Sequence, residues 1–159
     1  TRRKAGKTSF GQSGDLQALD PIGQPLIDFF AIELKRGYGK YDFLDLLDGN
    51  GETTKLPVSL FWEQAKEQAT GRVPLLIVRR DRHQAVAIFP QGLLRSLATV
   101  IRPPRVMSPK IILEGLCPEG ALVAVTLSHF LEVVTPAAIQ ELSRRPPPTS
   151  LPPHRTRRQ

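Results

Sequence analysis

Residues 59–89 limit the possible folds more than any other stretch. "SLFWEQAKEQATG" (59–71) places Leu60, Phe61, Ala65 and Ala69 in one inward stripe of a helix and closes on Gly71, a natural C-cap. "VPLLIVRR" (73–80) then reads as a buried strand, and the polar turn "DRHQ" leads into a second strand, "AVAIF" (85–89). A helix running straight into two apolar strands requires helices layered on a sheet.

The flanking segments extend this pattern. "GDLQALD" (14–20) reads as a strand, Pro21-Ile22-Gly23-Gln24-Pro25 as a turn, and "LIDFFAIELKR" (26–36) as the next strand, so an antiparallel hairpin is expected. "YDFLDLLDG" (41–49) is expected to be a short helix, "PQGLLRSLATVI" (90–101) a helix, "ALVAVTL" (121–127) a strand, and "PAAIQELSRR" (136–145) a helix with Pro136 near its start. The order β-β-α-β-β-α-β-α predicts a mixed sheet with helices packed on it, an α/β or α+β single domain over 1–142 with its core at about 10–95. The tail 143–159, "SRRPPPTSLPPHRTRRQ", is expected to be disordered.

Several classes are disfavoured. No apolar run approaches the ~18 residues of a membrane span. The basic start "TRRKAGKTSF" is not followed by an apolar stretch, so a signal peptide is not expected. One cysteine, Cys117, excludes an internal disulfide and a multi-cysteine zinc site, and His83, His129 and His154 show no ligand spacing. A reducing, cytoplasmic setting is the expectation. "AGKTS" (5–9) imitates the end of a P-loop, but Thr1 stands where the motif needs its first glycine, so no nucleotide cofactor is expected.

Charge is concentrated at the ends. Residues 1–9 carry +4 and residues 143–159 carry +5, which leaves −2 for the body out of a total of +7. Basic arms of this kind either hold a polyanion, above all nucleic acid, or act as solubilising tails.

The chemistry centres on "FFAIELKRG" (29–37), where an apolar run ends in Glu33-Leu34-Lys35. Glu33 and Lys35 are two apart and share one face of a strand. The predicted hairpin brings Asp15 close to Glu33. Two carboxylates and a backbone carbonyl form a hard oxygen site suited to Mg²⁺, and a neighbouring lysine can orient a metal-activated water or neutralise charge on a phosphorane. The same residues also describe a cross-strand ion pair, or a strand end meeting solvent.

The stretch "SGDLQALDPIGQPLIDFFAIELKRG" resembles the core of the PD-(D/E)xK nuclease superfamily. Gly14-Asp15 stands where that family often has Pro-Asp, and Glu33-Leu34-Lys35 matches its second half. The following helix and "VPLLIVRR" strand are similar to the archaeal Holliday junction resolvase branch and related phage nucleases, with Gln64 at the family's glutamine position. The resemblance covers roughly residues 10–90. It implies a restriction-endonuclease-like mixed β-sheet flanked by helices and metal-dependent hydrolysis of DNA, on branched DNA or as a general phage-type nuclease, in a bacterial or phage-infected cell. By this resemblance Asp15, Glu33 and the Leu34 carbonyl hold Mg²⁺, with Mn²⁺ as a substitute. Lys35 positions the water, Gln64 supports the site, and the chain acts as a homodimer. Many relatives also supply a glutamate from a helix before the first strand. Here no acid precedes Asp15, so either that helix was cut from this chain or the site lacks that ligand.

The remaining candidates are less specific. Asp20 precedes proline and reads as turn chemistry. Asp28 has the opposite strand parity to Glu33 and is expected to be exposed. Arg2, Arg3, Lys4, Lys7, Lys40, Arg79 and Arg80 are candidate phosphate contacts, and Arg79 and Arg80 with Arg82 and His83 also fit a plain polar hairpin tip. Tyr38 and Tyr41 either stack on bases or cover an apolar edge. Trp62 is expected in the core or at a dimer contact. Two alternatives stand beside the nuclease: a non-catalytic DNA-binding or assembly protein that retains the fold, and an interaction module using the proline-arginine tail.

Overall fold

The computed structural model of the chain describes residues 16, 18–36, 57–101, 110–115, 117–118 and 120–144. Its elements are a 3-10 turn (Pro21–Gly23), α1 (Gln24–Phe29), β1 (Phe30–Arg36), α2 (Pro57–Ala69), β2 (Val73–Arg79), β3 (Val86–Pro90), α3 (Gln91–Val100), β4 (Ile111–Leu113), β5 (Leu122–Thr126), α4 (Leu127–Val133) and α5 (Pro136–Ser143). The five strands form one open mixed sheet in the order β1-β2-β3-β5-β4. β1 and β2 run parallel in a register that pairs Phe30 with Val73 and Arg36 with Arg79, and every other pairing is antiparallel. Two parallel neighbours need a crossover, and α2 supplies its helix. The expectation of a mixed sheet with flanking helices therefore holds at the level of class.

Strand alternation divides the core into two layers. Phe30, Ile32, Leu75, Ala87, Phe89, Val123 and Val125 face one side, where residues of α3, α4 and α5 cover them, including Leu97, Phe130 and Ile139. Phe130 sits at the centre, with its ring 5.7 Å from Phe30 and 5.2 Å from Phe89. Burying each such ring contributes about 1.5–3 kcal/mol. Leu76, Ile88, Leu122 and Ala124 face the other side, against Trp62 and Ala65 of α2.

The predicted hairpin is a correction. Residues 18–20 form no strand, and residues 24–29 are helical rather than extended. The local signals favour helix. The Asp20 side chain accepts from the Ile22 N–H at 2.8 Å and caps the turn, and Pro25 occupies the first turn of α1, where its missing N–H costs nothing. Leu26, Ile27 and Phe29 then pack on the core, and Arg72 Nη1 donates to the Ile27 carbonyl at 2.7 Å. Asp20 is turn chemistry, as read. Asp28 is exposed, but on a helix, where it accepts from Gln24 Nε2 at 2.6 Å.

The α2 stripe also needs one correction. Trp62, Ala65 and Ala69 are buried, whereas Leu60 is 47% exposed. Leu60 precedes Ala69 by nine residues, which at about 100° per residue places it on the opposite side of the helix. Beyond α2, Thr70 (φ 42°) and Gly71 (φ 84°) are both left-handed, so the expected glycine does lie at the helix end. β4 and α4 were not anticipated. α4 starts at Thr126, whose Oγ1 accepts from the His129 N–H. The expected helix at 41–49 and the tail from residue 145 lie outside the described residues.

Candidate active site

The site lies where α2 crosses the C-terminal half of β1. Phe30 and Ile32 point into the larger core layer, so Ala31, Glu33 and Lys35 point towards α2. Glu33 is the one buried polar or charged residue among those described. Its side chain is 4% exposed and that of Lys35 13%. Lys35 Nζ donates to Glu33 Oε1 at 2.5 Å and to Gln64 Oε1 at 2.8 Å. The Phe61 ring, one turn before Gln64, lies with its centroid 5.3 Å from the same Nζ. Residues 61 and 64 are three apart on α2 and share a face. Lys35 is thus fixed on three sides, by a carboxylate, an amide oxygen and the π-face of a ring.

Glu33 is only half satisfied. Oε1 takes the lysine, while Oε2 is buried with no hydrogen-bond partner. An unpaired buried acceptor costs about 1–3 kcal/mol, and more when it is charged. An ammonium has three donors. Glu33 and Gln64 accept two of them, which leaves a third for a water or a phosphate oxygen.

Of the expected site residues, Glu33, Lys35 and Gln64 come together, and the sequence separation of 29 between Lys35 and Gln64 is closed by the β1-α2-β2 unit. Leu34 lies between Glu33 and Lys35, in register with Ile77, and its side chain is exposed on the opposite face. Asp15 lies outside the described residues, and no described hairpin carries it to Glu33. Among the described residues no three His, Cys, Asp or Glu side chains cluster. The unpaired Oε2 fits a hard cation as one ligand of several, with Asp15 as the expected second carboxylate.

The basic candidates separate in the same way. Arg79 ends β2, and Arg79, Arg82 and His83 are exposed at the β2–β3 tip, where Arg80 is half-buried. Arg36, which pairs in register with Arg79, lies 3.8 Å from Asp81 in an exposed ion pair. Arg2, Arg3, Lys4, Lys7, Lys40, Tyr38 and Tyr41 lie outside the described residues. Trp62 is in the core, as expected. Phe61 was expected only in the core stripe, and its contact with Lys35 is new, although its three-residue spacing from Gln64 was the available signal.

No protein-family model, curated protein or solved structure matches the chain, and among the described residues no helix is long and apolar enough to cross a membrane.

Proposed function

We propose that the chain is a metal-dependent DNA endonuclease of the PD-(D/E)xK kind, with Mg²⁺ as the ion and Mn²⁺ as a substitute. The observation that carries this reading is the half-satisfied, buried Glu33 joined to a lysine fixed by Gln64. The buried oxygen that Lys35 does not take is open to a second partner, and a hard cation is one that a carboxylate oxygen holds well. Glu33 Oε2, the Leu34 carbonyl and Asp15 would hold the ion, which when bound polarises the phosphodiester and lowers the pKa of a coordinated water. Lys35 orients the attacking water with its third N–H and offsets negative charge that develops on the phosphorus oxygens. Gln64 and Phe61 keep the ammonium in place. The basic arms and the Arg79–Arg80 tip add phosphate contacts. Branched DNA, cut by a homodimer, is the substrate that the resemblance favours.

The test is cleavage of supercoiled plasmid and of synthetic four-way junctions in Mg²⁺ or EDTA. Glu33→Gln keeps an acceptor for Lys35 but removes the charge that a cation requires, and Lys35→Ala removes the water-positioning group. Both are expected to lower the rate at least 100-fold while circular dichroism reports a folded chain. Wild-type cleavage by Lys35→Ala sinks the mechanism.

A second reading is a non-catalytic DNA-binding or assembly protein that retains the fold. It predicts salt-sensitive binding that Glu33→Gln leaves intact and no cleavage in Mg²⁺.

A further inference from the structure

Behind the sheet, at the same end as Glu33 and Lys35, an open groove of about 630 Å³ runs between the β2–β3 tip and α4. Arg79, Arg82 and His83 form one wall, and Leu127 and Leu131 form the other. No acid among the described residues lines it. Leu131 is 49% exposed, an apolar side chain left at the rim of a cationic cleft.

Arg82 stands in the turn at φ +63°, a left-handed conformation that glycine adopts freely. Arg82→Gly therefore removes the guanidinium without straining the turn. Arg79 stands in the last β1–β2 register pair, opposite Arg36. Arg36 follows Glu33 by three residues, roughly 10 Å along the strand at about 3.3 Å per residue, so the groove opens near the same end of the sheet as the site but on its other face.

We propose that this groove seats a single-stranded flank of the DNA on which the active site works. Arg79 and Arg82 hold its phosphates, and the Leu127–Leu131 wall packs against an unstacked base. The inference rests on the reading of the chain as a DNA-binding protein. The mixture of cations and apolar side chains selects single strands, because a duplex keeps its base faces stacked inside and offers the groove phosphates alone. Arginines suit this task through planar donors that pair with phosphate oxygens.

The experiment is fluorescence anisotropy in EDTA, across a salt series, with three labelled probes: a 20-nucleotide single strand, a blunt duplex, and the same duplex with a single-stranded flank. The expected result is tighter binding of the flanked duplex than of the blunt one. Arg79→Ala/Arg82→Gly is expected to abolish that difference and to reduce the salt slope on single strands by about 1.4, at about 0.7 per lost phosphate contact. Leu131→Ser is expected to weaken single-strand binding several-fold with the slope unchanged. Arg82→Gly alone is expected to raise the melting temperature or leave it unchanged, so its binding loss is not an unfolding effect. Equal weakening on blunt and flanked DNA, or none on either, overturns the groove assignment while DNA binding itself survives. Failure of the wild-type chain to bind any probe overturns the DNA reading along with it. An oligoglutamate peptide that binds wild type but not the double variant, with single-strand binding intact in both, reassigns the groove to an acidic protein partner and also overturns it.

Discussion

Glu33 and Lys35 are costly to bury singly and tolerable as a pair. The pair is short and nearly enclosed, with side-chain exposures of 4% and 13%. Removing one partner of a buried pair typically costs about 3–5 kcal/mol, because the other charge stays behind, whereas replacing both with apolar side chains is often neutral or better. Lys35→Ala is therefore expected to lower the urea midpoint sharply, and Glu33→Leu/Lys35→Leu to recover most of the loss. A double variant as unstable as the single one would show that the strand needs the charges for folding. Recovery would show that folding does not require the charges. The Glu33-x-Lys35 pair was legible because a strand has a two-residue period, so the spacing alone fixes a common face. The unpaired Oε2 was not legible, because burial of one oxygen and not the other depends on where α2 lies.

Among the elements, α2 carries the most responsibility, since it covers one face of the sheet and supplies Gln64 and Phe61 to the site. Trp62 anchors it but leaves its own Nε1 buried without a hydrogen-bond partner. Trp62→Phe removes that donor along with some volume, and the two effects offset, so a stability change within about 1 kcal/mol is expected, against a loss of about 3–5 kcal/mol for Trp62→Ala. Differential scanning calorimetry distinguishes the two. α2 itself was legible, with a glycine at its end and a clear inward stripe apart from Leu60. α1 was not, because "LIDFF" is apolar enough to read as strand. What decides for helix is Pro25 in the first turn, the Asp20-capped 3-10 turn that leads into it and packing against α5, and only the first two are local. The same ambiguity hid α4, where "ALVAVTLSHFLEVV" turns from strand to helix at Thr126 within one apolar run. An error at α1 carries through to the site, because the hairpin was the route by which Asp15 reached Glu33.

At the scale of the whole molecule, stability is uneven. β2 and β3 are central and covered on both faces, while β4 is three residues long with two of them exposed. Hydrogen exchange is expected to find the β2 and β3 amides opening only with global unfolding and the β4 amides opening far more readily. Uniform protection across the sheet would contradict this gradient. The parallel β1–β2 pairing has a further consequence, which concerns the order of events during synthesis. Arg79 follows Arg36 by 43 residues in the chain. At about 5–20 residues per second, the partner strand is complete roughly 2–9 s after β1 has been made. Until β2 is made, the β1-α2-β2 unit that buries Glu33 cannot close. The geometry that distinguishes Glu33 and Lys35 is assembled late, when the crossover closes.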